Sequence, residues 1–316
     1  MPGTICGISD LDAGAVAETL RNAMTGFGTD EDQILVTVSS LSNEQRQEVA
    51  TAFKQAYGKD LIDDLKSELR GDFEEVVVAA MTPPRVYDAR QINNAISGIG
   101  TDETTLVEIM CTRSNDEINQ IKEIYKEEFE NDLESDLSSD TSGYFQRMFV
   151  SLCAGGREEN EDVDYDKAEE DAQKFHDAGE GCWGTEEAEF NAVLCLRSPQ
   201  QIRATIEKYE ELHGSSMEDA IRSECGGDLQ DGFLAIVESA KNTPAYFARR
   251  AHDAMSGLGT NDTDLIRVIV SRSEVDLEEV KDAYQMMYET SLSDAVASEC
   301  GGDYKKMLLN LIDPQY

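Results

Sequence analysis

The sequence predicts an all-α protein built from four copies of one unit, each with about five short helices. Apolar residues recur at the helical period, as in the segment from Glu117 to Phe129, and little of the chain alternates with the period of two that strands require. Prolines stand where helices would meet or end. A short glycine-rich motif recurs four times, which indicates a repeat architecture.

The four copies of the motif set the limits of the repeats. They read MTGFGTDED, ISGIGTDET, GEGCWGTEE and MSGLGTNDT, and their last glycines are 72, 84 and 75 residues apart. The longest interval contains the polar stretch GGREENEDVDYD, which predicts an inserted linker. We therefore predict a tail at residues 1–10, repeats at 11–82, 83–154, 167–241 and 242–316, and a linker at 155–166.

A threonine follows the last glycine of every motif, and acidic residues follow it: Thr29, Thr101, Thr185 and Thr260. Threonine at an N-cap accepts a hydrogen bond from the first turn of a helix, and acidic residues in that turn stabilise the helix dipole. We therefore predict that a helix begins directly after each threonine, with the threonine as its N-cap.

A carboxylate stands 40 residues after the last glycine of each motif, at Glu68, Asp140, Glu224 and Glu299. Glycines permit a backbone path at positive φ, which can turn several carbonyl oxygens toward one point. One added carboxylate completes an all-oxygen site. Such a site suits calcium, which tolerates irregular geometry, better than magnesium, which requires a strict octahedron. With a single carboxylate per ion, affinity in the absence of lipid should be weak.

The charge balance limits the partners. The chain has 27 Lys and Arg against 65 Asp and Glu, a formal net charge of −38. Such a surface repels nucleic acid and anionic lipid alike, so we expect no nucleic-acid partner, and an anionic partner needs a bridging cation. The sequence has no apolar run that could span a bilayer and no signal-peptide pattern.

The seven cysteines include no CxxC pair, which favours reduced thiols in the cytosol. Cys225 and Cys300 occupy equivalent SECGGD segments, so a bridge between them is the less favoured alternative.

An apolar residue lies inside each glycine motif, at Phe27, Ile99, Trp183 and Leu258. A side chain in a glycine-flanked turn has little to pack against. It could pack onto the neighbouring helix or contact the interface of a bilayer, where tryptophan in particular is stabilised. We favour the membrane contact.

The M-x-G-x-G-T loop, the carboxylate about 40 positions later and the four copies of about 70 residues resemble the annexin family from about residue 11 to 316. The resemblance implies five helices per repeat in a right-handed superhelix, and a slightly curved disc with calcium loops on its convex face. It also implies a cytoplasmic protein that binds acidic phospholipid membranes reversibly when calcium rises, as a peripheral membrane protein that could form homo-oligomers there.

The resemblance implies three carbonyls and one carboxylate as Ca2+ ligands in each repeat: Met24, Gly26, Gly28 and Glu68; Ile96, Gly98, Gly100 and Asp140; Met255, Gly257, Gly259 and Glu299. The third motif departs from the pattern. The family's variant of this loop implies the carbonyls of Gly179, Cys182 and Gly184 with the Glu224 carboxylate, after a rearrangement of the loop.

The family also has an arginine near the end of the second helix. Arg113, Arg197 and Arg272 stand 13 residues after their motif glycines, whereas repeat 1 has Leu41 there. A polar channel through the centre of the annexin disc would be lined here by Asp88, Glu108, Arg113, Arg267 and Arg272. We favour the alternative that these residues form ion pairs between repeats rather than a path for ions.

Other classes of protein fit less well. The sequence has no G-x-S-x-G, Walker or HExxH motif, so we predict no enzyme. The histidines, His176, His213 and His252, fall in polar helical contexts and are expected at the surface. The stretch from Asp162 lacks the glycine and the final glutamate of an EF-hand loop. A helical-repeat scaffold that binds proteins, and a membrane-associated ion channel, remain as alternatives to calcium-dependent membrane binding.

Overall fold

The computed structural model describes residues 3–26, 28–160, 162–179, 187–257 and 259–314. These residues form 20 α-helices and no strand, which confirms the all-α prediction and the five helices per repeat.

The helices follow the same order in each repeat. Repeat 1 contains α1 Ala13–Ala23, α2 Glu31–Ser40, α3 Asn43–Tyr57, α4 Leu61–Glu68 and α5 Gly71–Met81. Repeat 2 contains α6 Pro84–Ile96, α7 Glu103–Thr112, α8 Asn115–Phe129, α9 Leu133–Asp140 and α10 Gly143–Cys153. Repeat 3 contains α11 Tyr165–Ala178, α12 Glu187–Leu196, α13 Pro199–His213, α14 Met217–Glu224 and α15 Gly227–Lys241. Repeat 4 contains α16 Thr243–Met255, α17 Asp262–Arg272, α18 Leu277–Tyr288, α19 Leu292–Glu299 and α20 Gly302–Ile312.

The chain divides into two compact units. The first unit consists of Met1–Tyr87 with Phe247–Tyr316, and the second of Asp88–Tyr246. Repeat 1 and most of repeat 4 therefore lie in one unit, and most of repeat 2 and all of repeat 3 lie in the other. Each unit has its own core of aliphatic and aromatic side chains, with Phe53 fully buried in the first and Tyr125 in the second.

The prediction that a threonine caps the second helix of each repeat is wrong by one residue wherever the structure describes the loop. The cap is Asp30, Asp102 or Asn261, whose side chain accepts a hydrogen bond from the backbone N–H three residues later, at 2.9, 3.1 and 3.2 Å. Aspartate and asparagine are better N-caps than threonine, so the next residue takes that position. Thr185 lies outside the described residues.

The third helix of each repeat ends on a residue in the left-handed conformation. Repeats 1 and 3 place Gly58 and Gly214 there, at φ of 67° and 69°, whereas repeats 2 and 4 place Glu130 and Glu289 there, at 59° and 58°. A residue with a Cβ is sterically strained in this conformation, whereas glycine is not.

The histidines are half-buried rather than on the surface. The rings of His176 and His213 stack 3.9 Å apart, and the ring of His252 stacks on Tyr288 at 3.8 Å. Nδ1 of His252 also lies 3.3 Å from the hydroxyl oxygen of Tyr284. These imidazoles are therefore part of the packing between the first and third helices of repeats 3 and 4.

The N-terminal segment packs within the first unit. Thr4 is buried, and its hydroxyl donates to the carbonyls of Ser273 and Leu311 at 3.2 and 2.5 Å. The backbone N–H of Ile5 donates to the same Ser273 carbonyl at 2.9 Å. The side chain of Gln45 pairs with both backbone groups of Ile8. Residues 4–8 are thus attached to the first and the last repeat.

Candidate calcium-binding loops

The glycine loops of repeats 1, 2 and 4 are closed by the same backbone hydrogen bond. The N–H of Asp30 donates to Ala23 at 2.8 Å, Asp102 to Ala95 at 2.8 Å, and Asn261 to Ala254 at 2.7 Å. Each bond joins the end of the first helix to the N-cap of the second. The chain between them forms a short loop at the end of two helices.

Positive φ is what requires glycine in these loops. Both glycines of each loop have φ between 90° and 124°: Gly26, Gly28, Gly98, Gly100, Gly257 and Gly259. A Cβ added at any of them would meet nothing within 4 Å. The requirement is therefore conformational and not a matter of space, and it permits the backbone path that the metal-site prediction needs.

The predicted carboxylate ligands occupy one structural position. Each is the last residue of an eight-residue helix, namely α4, α9, α14 and α19. Glu68, Asp140 and Glu299 are exposed and Glu224 is half-buried. A helix C-terminus carries partial negative charge, so a carboxylate there is unfavourable unless a cation is bound nearby. Four acids at four such ends create local negative potential that attracts a cation.

The loop and the carboxylate are adjacent in space in two repeats. The Thr29 hydroxyl donates to Glu68 Oε2 at 3.1 Å, and the Thr101 hydroxyl donates to Asp140 Oδ2 at 2.8 Å. These bonds join residues 39 apart in the sequence. They bring the two parts of the predicted site together in repeats 1 and 2.

A second repeated glycine was missed by the sequence reasoning. Gly71, Gly143, Gly227 and Gly302 all have φ near 60° and begin the fifth helix of each repeat. Each stands 43 residues after its motif glycine, a spacing as regular as that of the carboxylates. This spacing could have identified the glycine that begins the next helix, three residues after each predicted carboxylate ligand.

The third site is only partly within the described residues. A Cβ on Gly179 would lie 3.0 Å from Cγ of Glu224 and 3.2 Å from the ring of Phe190, so Gly179 and Glu224 are close neighbours. Cys182, Trp183 and Gly184 lie outside the described residues.

Of the four apolar loop residues, the structure describes Ile99. Its exposure is 109% of the reference value, so its side chain packs onto no neighbouring helix. The other three, Phe27, Trp183 and Leu258, lie outside the described residues.

In each unit a polar cavity lies beside the carboxylate-bearing segments. The cavity in the first unit has a volume of about 610 Å³, and Glu68, Asp72, Glu299 and Tyr304 are among its lining residues. The cavity in the second unit, about 520 Å³, is lined in part by Asp140 and by residues 226–229. The ends of two short helices thus meet at one cavity within each unit.

Acidic groups in the first unit repel one another. Burial raises the pKa of Asp262, and the negative charge of Asp72 raises it further. Burial and the charges of Asp72 and Asp262 likewise raise the pKa of Glu75. Both shifts mean that the folded protein disfavours the ionised form of these carboxyls.

Four of the residues predicted to line a channel form ion pairs within one repeat, whereas we expected pairs between repeats. Arg113 Nε and Nη2 donate to the two carboxylate oxygens of Asp88 at 2.9 and 3.0 Å. Arg267 donates to Asp264 at 2.7 Å, and Arg272 makes two bonds of 2.7 Å to Asp276. In each pair the two residues are close in the chain or lie on consecutive helices. Asp264 is on the same helix as Arg267, Asp276 directly precedes the helix that follows Arg272, and Asp88 is on the helix before Arg113.

The remaining residue predicted to line a channel, Glu108, is fully buried on α7. Asp88, Glu108 and Arg113 belong to the second unit, and Arg267 and Arg272 belong to the first.

Two further observations concern membranes and metals. Among the described helices, none combines the length and apolar character that crossing a bilayer requires. Within the same residues, no three His, Cys, Asp or Glu side chains are grouped as metal ligands. Cys225 and Cys300 are both free thiols.

Comparison with known proteins identifies the family. The annexin family model matches residues 15–80, 87–152, 170–236 and 246–311. The chain is 48% identical to annexin A11 of Homo sapiens over 309 residues, which is 98% of this chain and 61% of that protein. It therefore spans less than two thirds of the length of this curated relative.

Solved structures agree with the sequence comparison. Annexin III superposes with a TM-score of 0.97 at 39% identity, covering 99% of this chain and 97% of that one. Calcium-bound annexin (Sm)1 superposes with a TM-score of 0.89 at 31% identity, covering 99% and 94%. Four matched repeats, identity along nearly the whole chain and the same fold show that this protein belongs to the annexin family.

Proposed function

We propose that this protein binds calcium through its glycine loops and attaches reversibly, by means of that calcium, to acidic phospholipid membranes. The observation that carries the proposal is the repeated geometry. Open glycine loops with the same closure and the same positive φ values recur in repeats 1, 2 and 4. In repeats 1 and 2 a hydrogen bond joins the loop to a carboxylate at a negative helix end.

The donor groups fit calcium. In repeat 1 the carbonyls of Met24, Gly26 and Gly28 with the Glu68 carboxylate would hold the ion, and the matching residues would do so in repeats 2 and 4. All of these donors are oxygens, which calcium prefers, and an irregular loop suits its flexible coordination. In repeat 3 the predicted set is the carbonyls of Gly179, Cys182 and Gly184 with Glu224. Calcium-bound annexin (Sm)1 supports this choice of metal.

Bound calcium would supply a cation that ligates protein oxygens and lipid phosphate at once. Overall electrostatic attraction between the protein and an anionic membrane cannot explain the attachment, because even four calcium ions carry only eight positive charges against a formal net charge of −38. Attachment must therefore come from local coordination at each loop. The exposed Ile99 adds an apolar contact at the bilayer interface, and we assign the same role to Phe27, Trp183 and Leu258.

Vesicle sedimentation tests the proposal. Vesicles that contain phosphatidylserine should pellet the protein in micromolar to millimolar calcium and release it in chelator. Neutral isosteres at the predicted ligands, Glu68→Gln, Asp140→Asn and Glu299→Gln, should each raise the calcium needed for half-maximal binding. The combined variant should raise it further, because the loops act together on one vesicle.

The matched control is Asp63→Asn, since Asp63 is an exposed acid on the same helix as Glu68 but is not a predicted ligand. It removes the same charge and should leave the calcium requirement unchanged. Equal binding in chelator, or a combined variant that needs no more calcium than the natural sequence, contradicts the proposal. A protein-binding scaffold would retain its partner in chelator.

A further inference from the structure

The repeated threonine of the motif lacks the role that its position first indicates. Its neighbour, Asp30, Asp102 or Asn261, caps the second helix. The threonine side chain is therefore not needed to begin the helix, and its hydroxyl is available to another acceptor. Thr29, Thr101 and Thr260 are all half-buried at the edge of the glycine loop.

In two repeats that acceptor is the predicted calcium ligand. Thr29 donates to Oε2 of Glu68 at 3.1 Å, and Thr101 donates to Oδ2 of Asp140 at 2.8 Å. A carboxylate oxygen has two lone pairs, so it can accept this hydrogen bond and still bind a cation. The bond is therefore compatible with calcium binding.

The carboxylates need such a partner. Each side chain is exposed and ends a helix whose C-terminal dipole repels it, so the unrestrained group would spend much of its time turned away into water. A hydrogen bond from a threonine held by the loop restricts the carboxylate to the side on which the loop carbonyls lie. The carboxylate then loses its conformational freedom before the ion binds, so this loss no longer weakens calcium binding.

We propose that the hydroxyls of Thr29 and Thr101 are positioning groups, which hold the Glu68 and Asp140 carboxylates in place for calcium. This inference rests on the proposed function, because it assigns these residues a role toward the same sites. Neither threonine is among the predicted ligands.

Repeat 4 provides an internal comparison. Thr260 and Glu299 line the same cavity, yet among the described residues no hydrogen bond joins them. Glu299 Oε1 instead accepts a bond from the Ser298 hydroxyl at 3.4 Å. The positioning effect should therefore be strong in repeats 1 and 2 and weak in repeat 4.

The test uses full-length proteins that keep one carboxylate each. In the repeat 1 protein, Glu68 stays while Asp140→Asn, Glu224→Gln and Glu299→Gln silence the other loops; in the repeat 4 protein, Glu299 stays instead. Thr29→Val removes the hydroxyl at nearly constant volume, and Thr29→Ser keeps it. Calcium binding is measured by calorimetry, and the carboxyl-carbon resonance of Glu68 is measured by NMR without calcium.

We expect Thr29→Val to raise the half-saturating calcium concentration roughly threefold to tenfold, as loss of a hydrogen bond to a charged group would. Thr29→Ser should restore binding to within about twofold of the natural sequence. The Glu68 resonance should move in Thr29→Val and not in Thr29→Ser. In the repeat 4 protein, Thr260→Val should change calcium binding less than Thr29→Val does in repeat 1.

The outcomes separate the two proposals. If the repeat 1 protein with Thr29 intact is folded and binds no calcium, the proposed function is wrong for that loop and the positioning role falls with it. If it binds calcium and Thr29→Val binds equally well, only the positioning role is overturned. The same holds if serine fails to rescue the valine variant while helix content and thermal midpoint are unchanged.

Discussion

Replacing Asp88 by valine while Arg113 stays in place should destabilise the protein by about 3–5 kcal/mol. Asp88 and Arg113 are 1% and 4% exposed and share two hydrogen bonds. Burial alone lowers the pKa of Arg113, but the charge and hydrogen bonds of Asp88 outweigh it and leave that pKa above its ordinary value. The variant therefore retains a buried guanidinium that has lost its main counter-charge.

Repeat 1 shows what can replace the pair. At the two corresponding positions it has Val16 and Leu41, and Leu41 is buried. The double variant Asp88→Val with Arg113→Leu copies this apolar pair. Since a buried ion pair barely offsets the desolvation of its charges, the double variant should cost less than about 1 kcal/mol.

Urea unfolding followed by circular dichroism measures all four proteins of this cycle. The coupling free energy between the two substitutions should be at least about 2 kcal/mol, because the second substitution removes the stranded charge left by the first. Additive costs, or a single Asp88→Val variant within about 1 kcal/mol of the natural protein, would refute the reasoning.

Four further predictions use other features. Glu130→Gly should stabilise the protein by about 0.5–1 kcal/mol in urea unfolding, since it relieves a left-handed helix end, whereas Gly58→Ala should destabilise it; no gain would contradict the cap argument. Gly100→Ala should cost roughly 1 kcal/mol and weaken calcium binding by repeat 2, because alanine disfavours a φ of 90° even where its Cβ meets no atom. Glu75→Gln should raise the thermal midpoint at pH 7, since burial raises the pKa of Glu75 and its ionisation destabilises the fold; the gain should shrink as the pH falls below that pKa and vanish below the unfolded value. Asp132→Ala should instead lower the thermal midpoint at pH 7. Hydrogen bonds from Ser135 lower the pKa of the Asp132 carboxyl, so the stability that the ionised carboxylate contributes is present above the unfolded pKa and is lost as the pH falls through the folded pKa.

The sequence was sufficient for the fold class and for the repeat because both depend on local signals. Helical periodicity predicts helices, and glycines at a constant spacing predict loops that need positive φ. The spacing of 40 residues also identified the four helix-terminal carboxylates without any knowledge of the helices between. Because these features recur in every repeat, the prediction does not depend on a chance match in a single repeat.

Choices between neighbouring residues, and between partners, could not be predicted in the same way. Thr29 and Asp30 can both cap a helix, and only the path of the loop decides that Asp30 does so. Arg113 could pair within or between repeats, and the packing of α6 against the end of α7 decides for Asp88. The imidazoles of His176 and His213 meet because two helices bring them together, which no periodicity encodes.

The hydrogen bond from Thr4 to Leu311 joins residues 307 positions apart, and it lies in a unit whose two segments are separated by the whole of the other unit. During synthesis the continuous segment Asp88–Tyr246 leaves the ribosome complete, whereas the first unit stays incomplete until repeat 4 is made. Contacts this distant in sequence form slowly, because a long loop must close first. The order of translation therefore favours folding from the middle of the chain outward, and the apolar side chains of repeat 1 that pack against repeat 4 stay uncovered until repeat 4 is made.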